Sequence, residues 1–188
     1  MRRRTFDKVT TAVGAVLVIA LVAVGSLALW GYSYANSNVH NQLAAQKIFF
    51  PPKAAFQDAK AGTEITPGMI PYIEKYAGQQ VLTGQQAEAY ADHFISVHLS
   101  DMPYNGIYSE VSAASRANPN DAKLKALVTT VFQGTTLRGL LLEAYAFWTI
   151  GQVALWGSII SFILAGVMLI LVLLGLVHVR RTPESAEI

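Results

Sequence analysis

One uninterrupted apolar run near the C-terminal end limits the folds open to this chain. It extends from Ala144 to Val179, contains no Asp, Glu, Lys or Arg, and is closed by Arg180 and Arg181. An apolar run longer than about 18 residues is typical of a transmembrane helix. As a helix the whole run would be roughly 50 Å long, whereas the hydrocarbon core of a bilayer is about 30 Å thick. Residues 156–178 span about 33 Å and are predicted to form one transmembrane helix.

The residues just before this predicted crossing are uncharged and partly aromatic. Segment 146–155 is expected to lie at the outer membrane interface, where Trp and Tyr rings are enriched. Phe147 and Trp148, together with the preceding Tyr145, are candidates for an interface with a partner protein. An uncharged aromatic segment outside the bilayer requires cover from its own domain or from another subunit.

A second apolar run lies near the N-terminal end. Residues 9–31 carry no charge and are long enough, as a helix, to cross a bilayer. A cleaved signal peptide is the alternative, because Ser33, Tyr34 and Ala35 place small residues where a processing site requires them. The apolar core is longer than the about 7–15 residues of a usual signal peptide, which favours a retained transmembrane helix.

Basic residues flank the two predicted crossings on one side of the membrane. They are Arg2, Arg3, Arg4 and Lys8 before the first crossing, and Arg180 and Arg181 after the second. Because Lys and Arg gather on the cytoplasmic side, residues 1–8 and 179–188 are predicted to be cytoplasmic and residues 32–145 to form an extracytoplasmic domain. Eight basic and nine acidic residues lie between Tyr32 and Glu143, a balance that argues against a nucleic-acid partner.

The extracytoplasmic domain is predicted to be mostly helical, so the fold class is an all-α membrane protein with two transmembrane helices. Thr83 and Gln86 match a capping box, and the helix that follows them has apolar residues on one face. Asn120 or Asp121 is predicted to cap a later helix, and a shift in its apolar stripe at Gly134–Thr136 predicts a kink or a break. Residues 36–46 form either a separate short helix or an outward extension of the first transmembrane helix.

The sequence contains no recognisable catalytic or metal-binding motif. His93 and His98 are five residues apart, which separates their rings by about 140° around a helix, whereas two helical ligands of one metal need a spacing of three or four. We interpret both as core or interface residues. Tyr90, Phe94 and His98 are candidates for the lining of a small-molecule pocket. The chain has no cysteine, and we expect no metal, no cofactor and no catalytic activity.

Small residues recur on both apolar helices. Gly157, Ser161 and Ala165 are four residues apart, a spacing that lets two helix backbones approach closely within lipid. The first helix offers Gly14 and Gly25 on a heptad-like stripe. We expect these residues to pack helix against helix, either within the chain or with a neighbouring subunit.

Three stretches carry a resemblance to a known family: RRRTFDK at 2–8, YANSNVHNQL at 34–43 and TLRGLLLEAYAFW at 136–148. Over most of its length the chain resembles a family of uncharacterised two-pass membrane proteins from actinobacteria. Some members of that family are labelled aromatic ring-opening dioxygenase subunits. The resemblance implies a bacterial plasma-membrane location, and the label implies an iron site of two His and one carboxylate in the wider enzyme. No residue of this chain is assigned to such a site.

Three functional hypotheses are consistent with these patterns. The first is a non-catalytic membrane protein that serves as an accessory or scaffolding subunit of a larger plasma-membrane or cell-envelope assembly, with the lipid bilayer and a membrane protein or a second copy as partners. The second is an extracytoplasmic sensor or small-molecule binding module. The third is a dioxygenase-related enzyme subunit, as the family label implies.

Overall fold

Every regular element of the computed structural model is helical across residues 2–183, the part of the chain that the structure describes. The prediction of an all-α fold is confirmed, with 81% helix and no strand among those residues. The elements in chain order are α1 (Arg3–Gln46), α2 (Lys53–Gln57), α3 (Ile70–Ile73), a 3₁₀ turn (Glu74–Tyr76), α4 (Gly84–Tyr90), a π-helical segment (Ala91–Ile95), α5 (Ser96–Ser100), a second 3₁₀ turn (Pro103–Gly106), α6 (Tyr108–Ala117) and α7 (Ala122–Arg181).

The chain divides into two compact units, which share the two longest helices. Unit 1 comprises residues 1–34 and 150–188, and unit 2 comprises residues 35–149. Unit 2 includes Trp148, which lies in the predicted outer-interface segment 146–155. Five residues of the predicted cytoplasmic tail, 184–188, and Met1 lie outside the described residues.

Both α1 and α7 are long and apolar enough to cross a membrane, and neither resembles the core helix of a soluble protein. Only 11% of the most apolar stretch of α1 and 17% of that of α7 is buried within the structure. Large apolar side chains such as Ile19 and Val153 are 70% and 68% exposed. A folded soluble protein does not leave so continuous an apolar surface in water, so these surfaces require lipid or a protein partner.

In unit 1 the two helices meet along a narrow line of small residues. On α1 the buried members are Gly14 and Gly25. On α7 they are Gly151, Ser158, Ala165 and Val172, each seven residues from the next. This spacing keeps one side of each helix turned toward the other. Ser161, on the same stripe as Ala165, is half-buried, whereas Gly157 is exposed.

Unit 2 is built around an apolar core that helices from several parts of the chain supply. Its fully buried members include Leu43, Ile65, Met69, Ile73, Val81 and Leu141. Two backbone hydrogen bonds join the start of the irregular stretch between α1 and α4 to its end. They run from Val81 N to Ile48 O and from Phe50 N to Gln79 O, and each is 2.9 Å long. Backbone pairing at the base lets this stretch fold over the core without strands.

The predicted helix start at Thr83 is confirmed. The Thr83 hydroxyl accepts a hydrogen bond from the Gln86 backbone N–H, and the Gln86 side chain accepts one from the Thr83 N–H. This reciprocal pair satisfies two donors that a helix N-terminus would otherwise leave unpaired. Of the two alternatives for residues 36–46, the structure has the extension, since α1 is continuous to Gln46.

The predicted break at Gly134–Thr136 is wrong, because α7 is one continuous helix from Ala122 to Arg181. Gly134 serves close packing instead: a Cβ there would lie 2.8 Å from Leu99 Cδ2 on α5. The Thr135 hydroxyl donates to the Val131 carbonyl one turn earlier, at 2.7 Å. The shift in the apolar stripe therefore marks a change of packing partner along one helix.

Candidate functional site

A π-helical segment interrupts unit 2 between α4 and α5. It covers Ala91–Ile95, and single π turns inside α-helices are frequently found at functional sites. Two of its side chains contact other elements. The His93 ring stacks on Tyr72, with ring centroids 3.6 Å apart and planes within 4° of parallel. Asp92 accepts a hydrogen bond from Arg138 on α7, at 2.7 Å.

A cleft of about 390 Å³ opens beside this segment. Its floor is one face of α4 and the π-helical segment, which carries Gln85, Glu88, Ala89 and His93. These positions follow helical spacing and therefore lie on one side of the helix. We call this space the aromatic cleft, because its two walls supply most of its rings.

The two walls of the aromatic cleft come from distant parts of the chain. One is formed by α3 and the following 3₁₀ turn and carries Tyr72 and Tyr76; the other is α7, which carries Tyr145 and Trp148. Tyr145 and Trp148 lie in a stacked arrangement, with ring centroids 6.1 Å apart. Four aromatic side chains and His93 thus line one space.

Trp148 is held in place by a glycine at the start of α4. A Cβ at Gly84 would overlap Trp148 Cβ and lie 2.5 Å from Trp148 Cγ. The absence of a side chain at Gly84 is what allows α4 and α7 to approach so closely. The Trp148 side chain also packs against the core of unit 2, so its position in the lining of the cleft is fixed by contacts within this unit.

The polar groups of the aromatic cleft are few and mixed in sign. Lys75 Nζ lies over the Tyr76 ring, 4.8 Å from its centroid, in cation–π geometry. Glu88 on the floor supplies a carboxylate, and Gln85 supplies an amide that can both donate and accept. Among the described residues, neither Lys75 nor Glu88 has an ion-pair partner, so both charges are available to a ligand.

The predicted pocket residues Tyr90, Phe94 and His98 lie in a row of rings. Centroid distances are 4.8 Å from Tyr90 to Phe94 and 4.5 Å from Phe94 to His98. Phe94 and His98 line an apolar cavity of about 300 Å³ against α7, whereas Tyr90 contacts Phe50 on the core side. Burial raises the pKa of the Tyr90 phenol, and the nearby charge of Glu64 raises it further.

The two histidines of this region have separate partners. His98 Nδ1 lies 2.7 Å from the Phe94 carbonyl oxygen. Since a carbonyl only accepts, Nδ1 carries the proton and donates. His93 is engaged by Tyr72, as described above. Within residues 2–183 no group of three His, Cys, Asp or Glu side chains is placed to hold a metal ion.

Of the three predicted partner-interface residues, two face the aromatic cleft. Tyr145 and Trp148 are half-buried there, while Phe147 is exposed. Phe147 borders a second cleft of about 400 Å³ within unit 2, together with Asn38, Gln42 and Glu143.

The predicted packing residues of unit 1 divide into two groups. A Cβ at Gly14 would lie 2.8 Å from Val172 Cγ2, and one at Gly25 would lie 3.0 Å from the Phe162 ring. Gly14, Gly25 and Ala165 therefore lie at the contact between α1 and α7. Around Gly157, by contrast, no described atom lies within 4 Å of the Cβ position.

Sequence reasoning missed most of the aromatic cleft. Tyr72, Lys75 and Tyr76 lie in a stretch rich in Pro and Gly, and Gln85 and Glu88 occupy the polar side of an amphipathic helix, which is usually solvated. Only the aromatic content of residues 145–148 pointed toward a binding surface.

The chain matches no protein-family model, no curated protein and no solved structure at a significant level.

Proposed function

We propose that this chain is a two-pass protein of a bacterial plasma membrane that acts as a non-catalytic accessory or scaffolding subunit of a larger assembly. In this proposal α1 and α7 cross the bilayer within unit 1, and unit 2 lies on the extracytoplasmic side. The observation that carries the proposal is the exposed apolar surface of both helices, which only lipid or a membrane protein can cover.

The contact between the two helices supports a retained hairpin. Gly14 and Gly25 bring α1 close to α7, and a cleaved signal peptide has no need of such fitted packing. Basic residues lie at the N-terminal end of α1 and at the C-terminal end of α7. They favour a cytoplasmic location for both chain ends. The resemblance to actinobacterial two-pass proteins is consistent with this topology.

An assembly partner is proposed because apolar exposure continues beyond the length of one crossing. Phe147, Ile150 and Val153 are exposed on α7, N-terminal to the predicted crossing at 156–178. Their side chains lie at or beyond the outer interface in the proposed topology, where lipid tails do not cover them.

The test is photo-crosslinking in living cells from a reactive amino acid introduced at position 147. We expect a crosslink to one membrane protein, with an adduct mass that identifies it as a different chain. Position 107 is the matched control, since Ile107 is similarly exposed elsewhere on unit 2 and should give no such adduct. Equal adducts from both positions, or none at 147, would contradict the accessory role; an adduct with a second copy would replace it with a homo-oligomer.

A second candidate function, an extracytoplasmic binding module, is favoured by the aromatic cleft. The cleft is within the volume range of about 300–1,000 Å³ that is typical of small-molecule sites, and its lining combines aromatic walls with a few polar groups. The partners of His93 and His98 favour structural roles for both residues over an iron site, so the dioxygenase label receives no support from their geometry.

A further inference from the structure

We propose that the aromatic cleft binds a neutral saccharide of one or two rings. The inference rests on the second candidate function, the extracytoplasmic binding module, and makes it more specific. It does not depend on the proposed role of the chain as an accessory subunit. It rests on the size of the cleft, on the contacts that hold its rings in place and on the balance of its charges.

The size and the lining of the cleft suit a small cyclic ligand. Gln85 and Glu88 line the cleft together with the aromatic residues Tyr72 and Trp148. A volume of about 390 Å³ is near the lower end of small-molecule sites, which suits one or two rings. Such a ligand can contact aromatic rings and polar groups at the same time.

The aromatic walls match the apolar faces of sugar rings. The face of an aromatic ring carries partial negative charge, and the C–H groups on one face of a pyranose are polarised in the positive sense. Tyr72 is 48% exposed, so part of its surface is free to take such a contact.

The rings are ordered by the protein before any ligand enters. His93 supports Tyr72 at 3.6 Å, and Tyr145 and Trp148 are stacked with each other. Because Gly84 has no side chain, α4 packs directly against Trp148 and restricts its movement. Side chains that are already immobilised lose less conformational entropy on binding, which raises affinity for a weakly interacting neutral ligand.

The charges favour a neutral, hydroxyl-rich ligand over an ion. The lining has one ammonium, on Lys75, and one carboxylate, on Glu88, so its formal charges cancel. Lys75 Nζ already occupies the neighbourhood of the Tyr76 ring, which disfavours an organic cation there. An ammonium, a carboxylate and the Gln85 amide together offer both donors and acceptors, the combination that sugar hydroxyls can satisfy.

The experiment uses the full chain in lipid nanodiscs and saturation-transfer NMR, with titration of each ligand that responds. The probes are glucose, N-acetylglucosamine, maltose, cellobiose and chitobiose, with the zwitterion glycyl-tyrosine and the cation choline as competing classes. We expect at least one saccharide to bind, and Tyr72→Ala to weaken its binding by about tenfold through loss of one stacking wall. Glu88→Gln should weaken it by a smaller factor.

Tyr108→Ala is the matched control, because Tyr108 is 43% exposed on α6 and contacts Phe132, away from the cleft. It should leave the affinity unchanged. The proposal is overturned if no saccharide on the panel binds, if Tyr72→Ala and Tyr108→Ala have the same effect, or if only glycyl-tyrosine or choline binds. If only glycyl-tyrosine or choline binds, the chain is still a binding module, but for another class of ligand. If no probe binds, both saccharide binding and the binding-module function are contradicted. Crosslinking from position 147 reports on the accessory role separately.

Discussion

Gly84→Ala is predicted to destabilise unit 2 although alanine is the better helix former. The new Cβ would overlap Trp148 Cβ and lie 2.5 Å from Trp148 Cγ, whereas ordinary contact begins at 3.4 Å. Trp148 Cβ is bonded directly to the α7 backbone and keeps its position in every rotamer, so no change of rotamer removes its overlap. The two helices must separate by roughly an ångström, at a cost of about 2 kcal/mol for overpacking in a filled core. For a unit of this size that corresponds to a Tm lower by roughly 6–10 °C.

The matched control is Gly139→Ala on α7. Gly139 lies in the middle of α7 and is exposed, and no described atom lies within 4 Å of the position that its Cβ would take. The same substitution there is expected to stabilise the protein by up to about 1 kcal/mol, through helix propensity alone. The two variants should therefore shift Tm in opposite directions.

The assay is thermal unfolding of the full chain in detergent, followed by tryptophan fluorescence. Replacement of Trp30 and Trp156 by Phe leaves Trp148 as the single reporter, and this residue belongs to unit 2. A Gly84→Ala variant as stable as its parent, or shifts of the same sign at positions 84 and 139, would refute the packing argument.

Three further predictions follow from other parts of the chain. A Cβ at Gly175 would lie 3.7 Å from Thr11 Cβ, within the range of about 3.5–4.5 Å for disulfides; Thr11→Cys with Gly175→Cys should therefore crosslink within one chain when membranes are oxidised. Val13→Cys with Gly175→Cys should not, since Val13 is exposed on another side of α1; equal crosslinking would contradict the observed packing. The raised pKa of Tyr90 means that the unfolded state loses this proton first, so stability should fall as the pH rises past about 10. Tyr90→Phe should show less of that loss in alkaline unfolding curves; identical curves would argue against the shift. The intact mass of the purified protein should include residues 1–35, and a mass without them would show that the first helix is a signal peptide.

Local signals in the sequence predicted local structure well. The two apolar runs predicted long helices, and Thr83 with Gln86 predicted the start of α4 through a pair of hydrogen bonds that span four residues. Such signals act over one helical turn, so they can be recognised without knowledge of the fold.

The features that depend on distant contacts were not predictable. The π-helical segment is accompanied by contacts of His93 with Tyr72 and of Asp92 with Arg138, residues 21 and 46 positions away. The sequence predicted a kink or a break at Gly134–Thr136, yet Gly134 is the point where Leu99 packs against α7. A glycine has both uses, and only the tertiary structure decides between them.

The aromatic cleft was hidden for the same reason. Tyr72 on α3 and Tyr145 on α7 both line it and are 73 positions apart in the sequence. Its floor is a helix face whose polar pattern is that of a solvated surface. Of its tyrosine and tryptophan rings, only Tyr145 and Trp148 were singled out from the sequence, and for a different role.

The most direct test of the proposed topology is labelling of single cysteines in a chain that naturally has none. Ser109→Cys places a thiol on an exposed position of α6 in unit 2, and Thr5→Cys places one on an exposed position near the start of α1. With a membrane-impermeant maleimide, Ser109→Cys should be labelled in intact cells, and Thr5→Cys only after the membrane is permeabilised. Labelling of Thr5→Cys in intact cells, or of Ser109→Cys only after permeabilisation, would contradict an extracytoplasmic unit 2 between two membrane-spanning helices.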